Sequence, residues 1–132
     1  MAHALSRTLT LRPDDPMPNS FNPSGFFVLG DKLIFTAREQ VRGRELWVTD
    51  GTTNGTQLLC DLPPVDLGSS PEEWSFEEYK GLLHFVANGQ HWFTDGNSTC
   101  ELFLDGFGYG FYTLGDKFFY QVNSTMYVED ET

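Results

Sequence analysis

The stretch Glu45-Leu46-Trp47-Val48-Thr49-Asp50-Gly51-Thr52, continuing through Thr53-Asn54-Gly55-Thr56 into Gln57-Leu58-Leu59-Cys60-Asp61, constrains this chain more than any other. Leu46 and Val48 alternate with Trp47 and Thr49, the period of a strand whose two faces meet different surroundings. Asp50-Gly51 and Asn54-Gly55 then mark a turn, because Gly accepts positive φ and Asp or Asn bonds nearby backbone. Gln57 to Cys60 resumes the strand pattern, so the unit reads as a hairpin. A degraded copy follows at His91-Trp92-Phe93-Thr94-Asp95-Gly96-Asn97-Ser98, and a weaker one at Met126-Tyr127-Val128-Glu129-Asp130-Glu131-Thr132.

The parts around each copy keep their order, which is the mark of a repeat protein. Lys32-Leu33-Ile34-Phe35, Leu82-Leu83-His84-Phe85 and Lys117-Phe118-Phe119-Tyr120 are equivalent runs, each entered through a turn from another aromatic strand. Asn88-Gly89 and Asn123-Ser124 are tight hairpin turns, and Arg38 to Arg44 is an insertion at the same point of the first unit. The expected strands are 24–29, 32–37, 45–49 and 56–60, then 74–79, 82–87, 91–94 and 100–104, then 109–114, 117–122 and 126–129. The third unit lacks a fourth strand. Thr8-Leu9-Thr10-Leu11 matches the outer strand of unit one, so residues 7–12 are expected to complete the last sheet and cover its edge. The Pro-bearing stretches 12–23 and 63–71 read as ordered loops.

Residues 45–61 resemble the bacterial ELWxxDGTxxGT repeat, whose units look like β-propeller blades. The second copy departs from that pattern with Gln90-His91 for Glu-Leu, and the third with Tyr127 for Trp and Glu131 for Gly. The resemblance implies an all-β, propeller-like fold of three four-stranded antiparallel blades within one domain, residues 1–132, and it implies no particular reaction. Blade one spans about 24–61, blade two about 74–105, and blade three about 109–132 together with 7–12. Propellers usually have about four to eight blades, so two chains forming a six-bladed ring is the favoured assembly, ahead of a closed three-bladed monomer.

Composition narrows the function. With 19 acidic against 8 basic residues and a net charge of −11, the chain lacks the basic footprint of a nucleic-acid binder and opposes anionic membranes. The N-terminus lacks the layout of a signal peptide. Cys60 and Cys100, placed on equivalent outer strands of neighbouring units, read as free thiols, which favours a cytoplasmic setting unless a signal has been removed and the protein is secreted. Three Asn-x-Thr sequons, at Asn54, Asn97 and Asn123, fall where turn chemistry already calls for those residues.

No catalytic motif stands out. His84 and His91 sit on adjacent strands without a third metal ligand, apart from a distant Cys100, and read as core or interface histidines. The Asp50, Asp95 and Asp130 turns lack the oxygen ligands of a Ca²⁺ loop, and Glu72, Glu73, Glu77 and Glu78 read as a solvated face. No cofactor or metal is expected. A binding face gathers Arg38, Glu39, Arg42 and Arg44 from the insertion, Glu72 and Trp74 from the start of unit two, and Asn88 and Asn123 from the tight turns. Aromatic and polar groups together suit a glycan or protein ligand. The expectation is a non-catalytic binding module. Its alternatives are an assembly protein whose product is the ring, an acidic mimic occupying a basic partner, and a small hydrolase acting through Glu73.

Overall fold

The computed structural model describes residues 22–39, 43–60, 71–97, 99–107 and 110–130. Strands β1 (Ser24–Leu29), β2 (Lys32–Glu39), β3 (Gly43–Thr49) and β4 (Gln57–Cys60) form the first sheet in sequence order. The second is β5 (Glu72–Tyr79), β6 (Leu82–Ala87), β7 (Gln90–Thr94) and β8 (Cys100–Phe107). The third is β9 (Phe111–Leu114), β10 (Lys117–Val122) and β11 (Thr125–Glu129). All pairings are antiparallel, and no helix occurs among the described residues.

The three sheets share one pairing register. Phe35 pairs with Trp47, Phe85 with Trp92, and Tyr120 with Tyr127. The turns follow from residue type: Asn88 and Asn123 adopt φ of 55° and 56°, a left-handed region that Asn tolerates better than most residues. The insertion at Arg38–Arg44 lengthens the β2–β3 hairpin, with Arg38 paired to Arg44 across the strands.

Each strand has two faces, and the sheets stack by using them in a fixed way. The Ile34 face of sheet one, with Leu29, Leu46 and Val48, packs on the Phe85 face of sheet two, with Leu83, Ala87 and Trp92. The opposite face of sheet two, carrying Tyr79, His84 and Val86, packs on Phe111, Phe118 and Tyr120 of sheet three. Phe27, Phe76 and Phe85 run through the first seam in edge-to-face contacts at 6.1 and 6.3 Å. Tyr79 stacks on Phe118 at 4.9 Å in the second and donates its hydroxyl to the carbonyls of Asp116 and Glu129. Phe35, Ala37 and Trp47 form a separate buried cluster on the outer face of sheet one.

One expectation changes. Cys60 and Cys100 are not free thiols: they form a disulfide, with Cα atoms 5.5 Å apart. The assumed equivalence failed because Trp47 pairs with Leu58 and Trp92 with Leu102, which puts the cysteines on opposite sides of those partners. The Asp95–Asn97 turn also tucks against sheet one, where Lys32 Nζ donates to Asn97 Oδ1 at 2.6 Å and Gln57 Nε2 to Asn97 O at 3.4 Å, and this carries the start of β8 to β4. With both cysteines bonded, they no longer favour a reducing compartment. The described strands make three separate antiparallel sheets, of four, four and three strands. The expected strand 7–12, and nearly all of the loops 12–23 and 63–71, lie outside the described residues.

Candidate functional site

The two DG turns account for their own polar residues. Asp50 Oδ1 accepts from Thr52 N at 2.9 Å and Thr52 Oγ1 at 2.7 Å, and Thr52 Oγ1 accepts from Gly55 N at 2.9 Å. Thr49 Oγ1 accepts from Gly51 N at 3.0 Å, as Thr94 Oγ1 does from Gly96 N at 3.1 Å. Asp95 Oδ1 likewise accepts from Asn97 N at 2.9 Å. A Cβ on Gly55 would overlap the Asp50 carboxylate, so the second Gly of the motif exists to let this side chain in. Hydrogen bonds to the charged form hold Asp50 below its ordinary pKa, those from Thr52 first.

The start of β5 meets the start of β1 in a polar knot. Glu73 Oε2 accepts from Thr36 Oγ1 at 2.6 Å and Ser24 Oγ at 2.7 Å. Arg44 Nη1 donates to Thr36 Oγ1 at 2.7 Å and lies 4.0 Å from Glu73 Oε2, while Nη2 donates to the Asn22 carbonyl at 3.0 Å. Gly25, at φ +62°, leaves the room: a Cβ there would come 2.5 Å from Glu73 Cγ. The Thr36 hydrogen bond, then Ser24 and Arg44, lower the Glu73 pKa against the opposing effect of burial. Glu73 is thus a held carboxylate, unlike the raised-pKa acid that glycoside hydrolysis requires.

Beside it, a register shift between Glu72 and Glu77 re-aims the strand. Ser75 bridges the irregularity, accepting from Val86 N at 2.8 Å and donating to the Glu72 carbonyl at 2.6 Å. Trp74 is thereby turned outward, 65% exposed, and its Nε1 donates to Glu72 Oε2 at 3.0 Å. An indole laid open beside a carboxylate is unlike a strand-start core residue, and the burial that a tryptophan here would ordinarily seek does not occur.

Of the eight residues expected on a binding face, Glu72 and Trp74 are brought into contact, and Arg44 joins Glu73. Arg38 is exposed on the same hairpin as Arg44. Asn88 and Asn123 occupy turn positions whose backbone accounts for them. Arg42 and the Glu39 side chain lie outside the description. Ser24, Thr36 and Ser75 were missed. The first two reach Glu73 across 49 and 37 positions of sequence, and no local pattern signals such a contact.

The histidines form a second polar island. His84 Nδ1 lies 2.8 Å from His91 Nε2, both rings buried at the seam of sheets two and three. His91 stacks on Phe111 at 4.2 Å, and His84 lies 4.4 Å from Phe118. Burial pushes His84 down to about 4; burial, then the neighbouring His84, pushes His91 down to about 3. Two neutral rings sharing one N–H···N bond commit one ring's lone pair to the other ring. Cys100, once considered as a third ligand, is tied to Cys60. No group of three or more His, Cys, Asp or Glu suited to a metal occurs among the described residues.

No protein-family model, curated protein sequence or solved structure matches this chain.

Proposed function

We propose that the chain is a propeller-like, non-catalytic binding module whose ligand is a neutral saccharide, held at the Glu72–Trp74 end of sheet two. The observation that carries this reading is the outward-facing Trp74 with its indole pinned by Glu72. An aromatic face accepts the C–H surface of a sugar ring, and a fixed carboxylate accepts its hydroxyls. The bulge and Ser75 hold both in place, so little ordering is left to the moment of binding. Glu72 and a net charge of −11 work against an acidic glycan. The propeller-like part of the reading rests on the order of parts in each sheet and on the repeated face-to-face stacking.

Two observations argue against a hydrolase acting through Glu73: its carboxylate is held by hydroxyl donors, and its pKa is lowered. A glycan array, followed by titration with the soluble oligosaccharides that score, tests the proposal. Trp74→Ala is expected to weaken binding at least about tenfold while leaving the thermal midpoint unchanged. A silent array, or binding indifferent to Trp74→Ala, overturns it. Oligosaccharide turnover that vanishes in Glu73→Gln overturns the non-catalytic reading.

A further inference from the structure

The register of the three sheets points to a self-docking surface. Sheet one presents its Ile34 face to the Phe85 face of sheet two, and sheet two presents its His84 face to the Tyr120 face of sheet three. Ile34, His84 and Phe119 are equivalent by pairing, as are Phe35, Phe85 and Tyr120. The same half-interface is therefore used twice. Its third example, the Phe119 face of sheet three, carries Tyr112, Leu114, Met126 and Val128, each between 53% and 74% exposed. The complementary half is the Phe35 face of sheet one. Its Phe35, Ala37 and Trp47 are already buried, but Phe26 and Val28 on its margin are 60% and 68% exposed. Six of the nine exposed large hydrophobic residues among those described thus fall on two faces that the repeat makes complementary.

We infer that the Phe119 face docks on the Phe26–Val28 margin of sheet one in a second copy of this chain. Polar detail supports the same geometry. In the first seam Lys32 donates to Gly96 O at 3.4 Å and Asn97 Oδ1 at 2.6 Å, and Leu29 Cδ2 lies 3.2 Å from a Cβ built on Gly96. Lys117 and Leu114 are the counterparts of Lys32 and Leu29, and Asp50-Gly51 is the counterpart of Asp95-Gly96. No atom lies within 4 Å of a Cβ built on Gly51, and a hollow of about 380 Å³ opens there, lined by Val28, Asp31, Lys32, Leu33, Asp50 and Gly51 among others. Lys117 and Leu114 of a second copy would fill it, the ammonium meeting Asp50. Used reciprocally, the contact closes on itself as a two-fold dimer of six sheets. The inference rests on the propeller-like stacking and is independent of any ligand.

Light scattering and sedimentation equilibrium at about 100 µM test it. The expected mass is twice the 15.0 kDa of one chain, and Leu114→Asp with Met126→Asp, at exposed positions that leave the circular dichroism intact, returns it to one chain. Lys117→Glu is expected to raise the dimer Kd roughly tenfold at low salt. Mixing chains that carry only Leu114→Cys with chains that carry only Leu33→Cys should yield a cross-linked dimer under oxidation, and neither chain alone should. A single-chain mass, a dimer that survives the double variant, or Leu114→Cys bridging to itself overturns the proposal. A monomer that still binds saccharide through Trp74 sinks this inference alone.

Discussion

His84 Nδ1 and His91 Nε2 lie 2.8 Å apart inside a box of Phe93, Phe103, Phe111 and Phe118. Protonating either ring puts a charge into that box, and protonating both leaves two donors facing each other. Both histidines have folded-state pKa values below 6.5, at about 4 and about 3. The unfolded chain therefore binds more protons once pH drops below 6.5, and stability present above that value is lost as pH falls toward the folded values. Tyr120, held above its ordinary pKa by burial first and then by Glu129, stays neutral throughout. Between pH 7 and pH 5 the chain should lose on the order of 2–4 kcal/mol, read as a falling denaturation midpoint. His84→Phe with His91→Leu should flatten that slope, and a slope unchanged in the double variant refutes the assignment.

The strands were legible because alternation and turn chemistry agree locally: Asn88-Gly89, Gly30-Asp31 and Gly115-Asp116 each close a hairpin where the sequence places one. The position of His84 at a seam between sheets was legible too, since it occupies the register of Ile34 and Phe119. The Cys60–Cys100 bond was not, because it depends on how one sheet lies across another, and pairing within a sheet says nothing about that. Trp74 was half legible: its place at the strand start could be read, but its outward aim follows from the bulge and the Ser75 bridge. The Glu73 knot draws on Ser24, Thr36 and Arg44 from three separate strands, and no spacing rule joins those.

The disulfide gives the second prediction. Cys60 and Cys100 are 40 positions apart, and closing a loop of that length in the unfolded chain is worth about 2–4 kcal/mol. Reduction should lower the urea midpoint accordingly without changing the mass of the assembly. An Ellman assay on the native chain should find no reactive thiol before reduction and two after denaturation in reductant. Two thiols titrating in the unreduced, unfolded chain would contradict the bond.

The DG turn supplies a double-mutant test. Gly55→Ala places a methyl where the Asp50 carboxylate sits, so it should cost about 1–3 kcal/mol through displaced hydrogen bonds. Asp50→Ala removes the acceptor for Thr52 and should cost about 1 kcal/mol by itself. If the clash is the cause, Gly55→Ala should become nearly neutral in the Asp50→Ala background. Strictly additive costs in urea denaturation would show that the glycine serves some other purpose.

Ser75 links stability to display at the proposed site. Its hydroxyl is the acceptor for Val86 N and the donor to Glu72 O across the β5 irregularity. Ser75→Ala leaves a buried amide without that acceptor, at a cost of about 1–3 kcal/mol. It also frees the segment that aims Trp74 outward. Trp47 and Trp92 are buried, so iodide quenching of the native chain reports mainly on Trp74. In Ser75→Ala the quenched fraction should fall as the indole swings toward the sheet, and saccharide affinity should fall with it. In Trp74→Ala the quenching should vanish with stability unchanged, because an exposed indole contributes little to the core. If Ser75→Ala lowers stability but leaves both quenching and binding untouched, the bulge does not govern how Trp74 is presented.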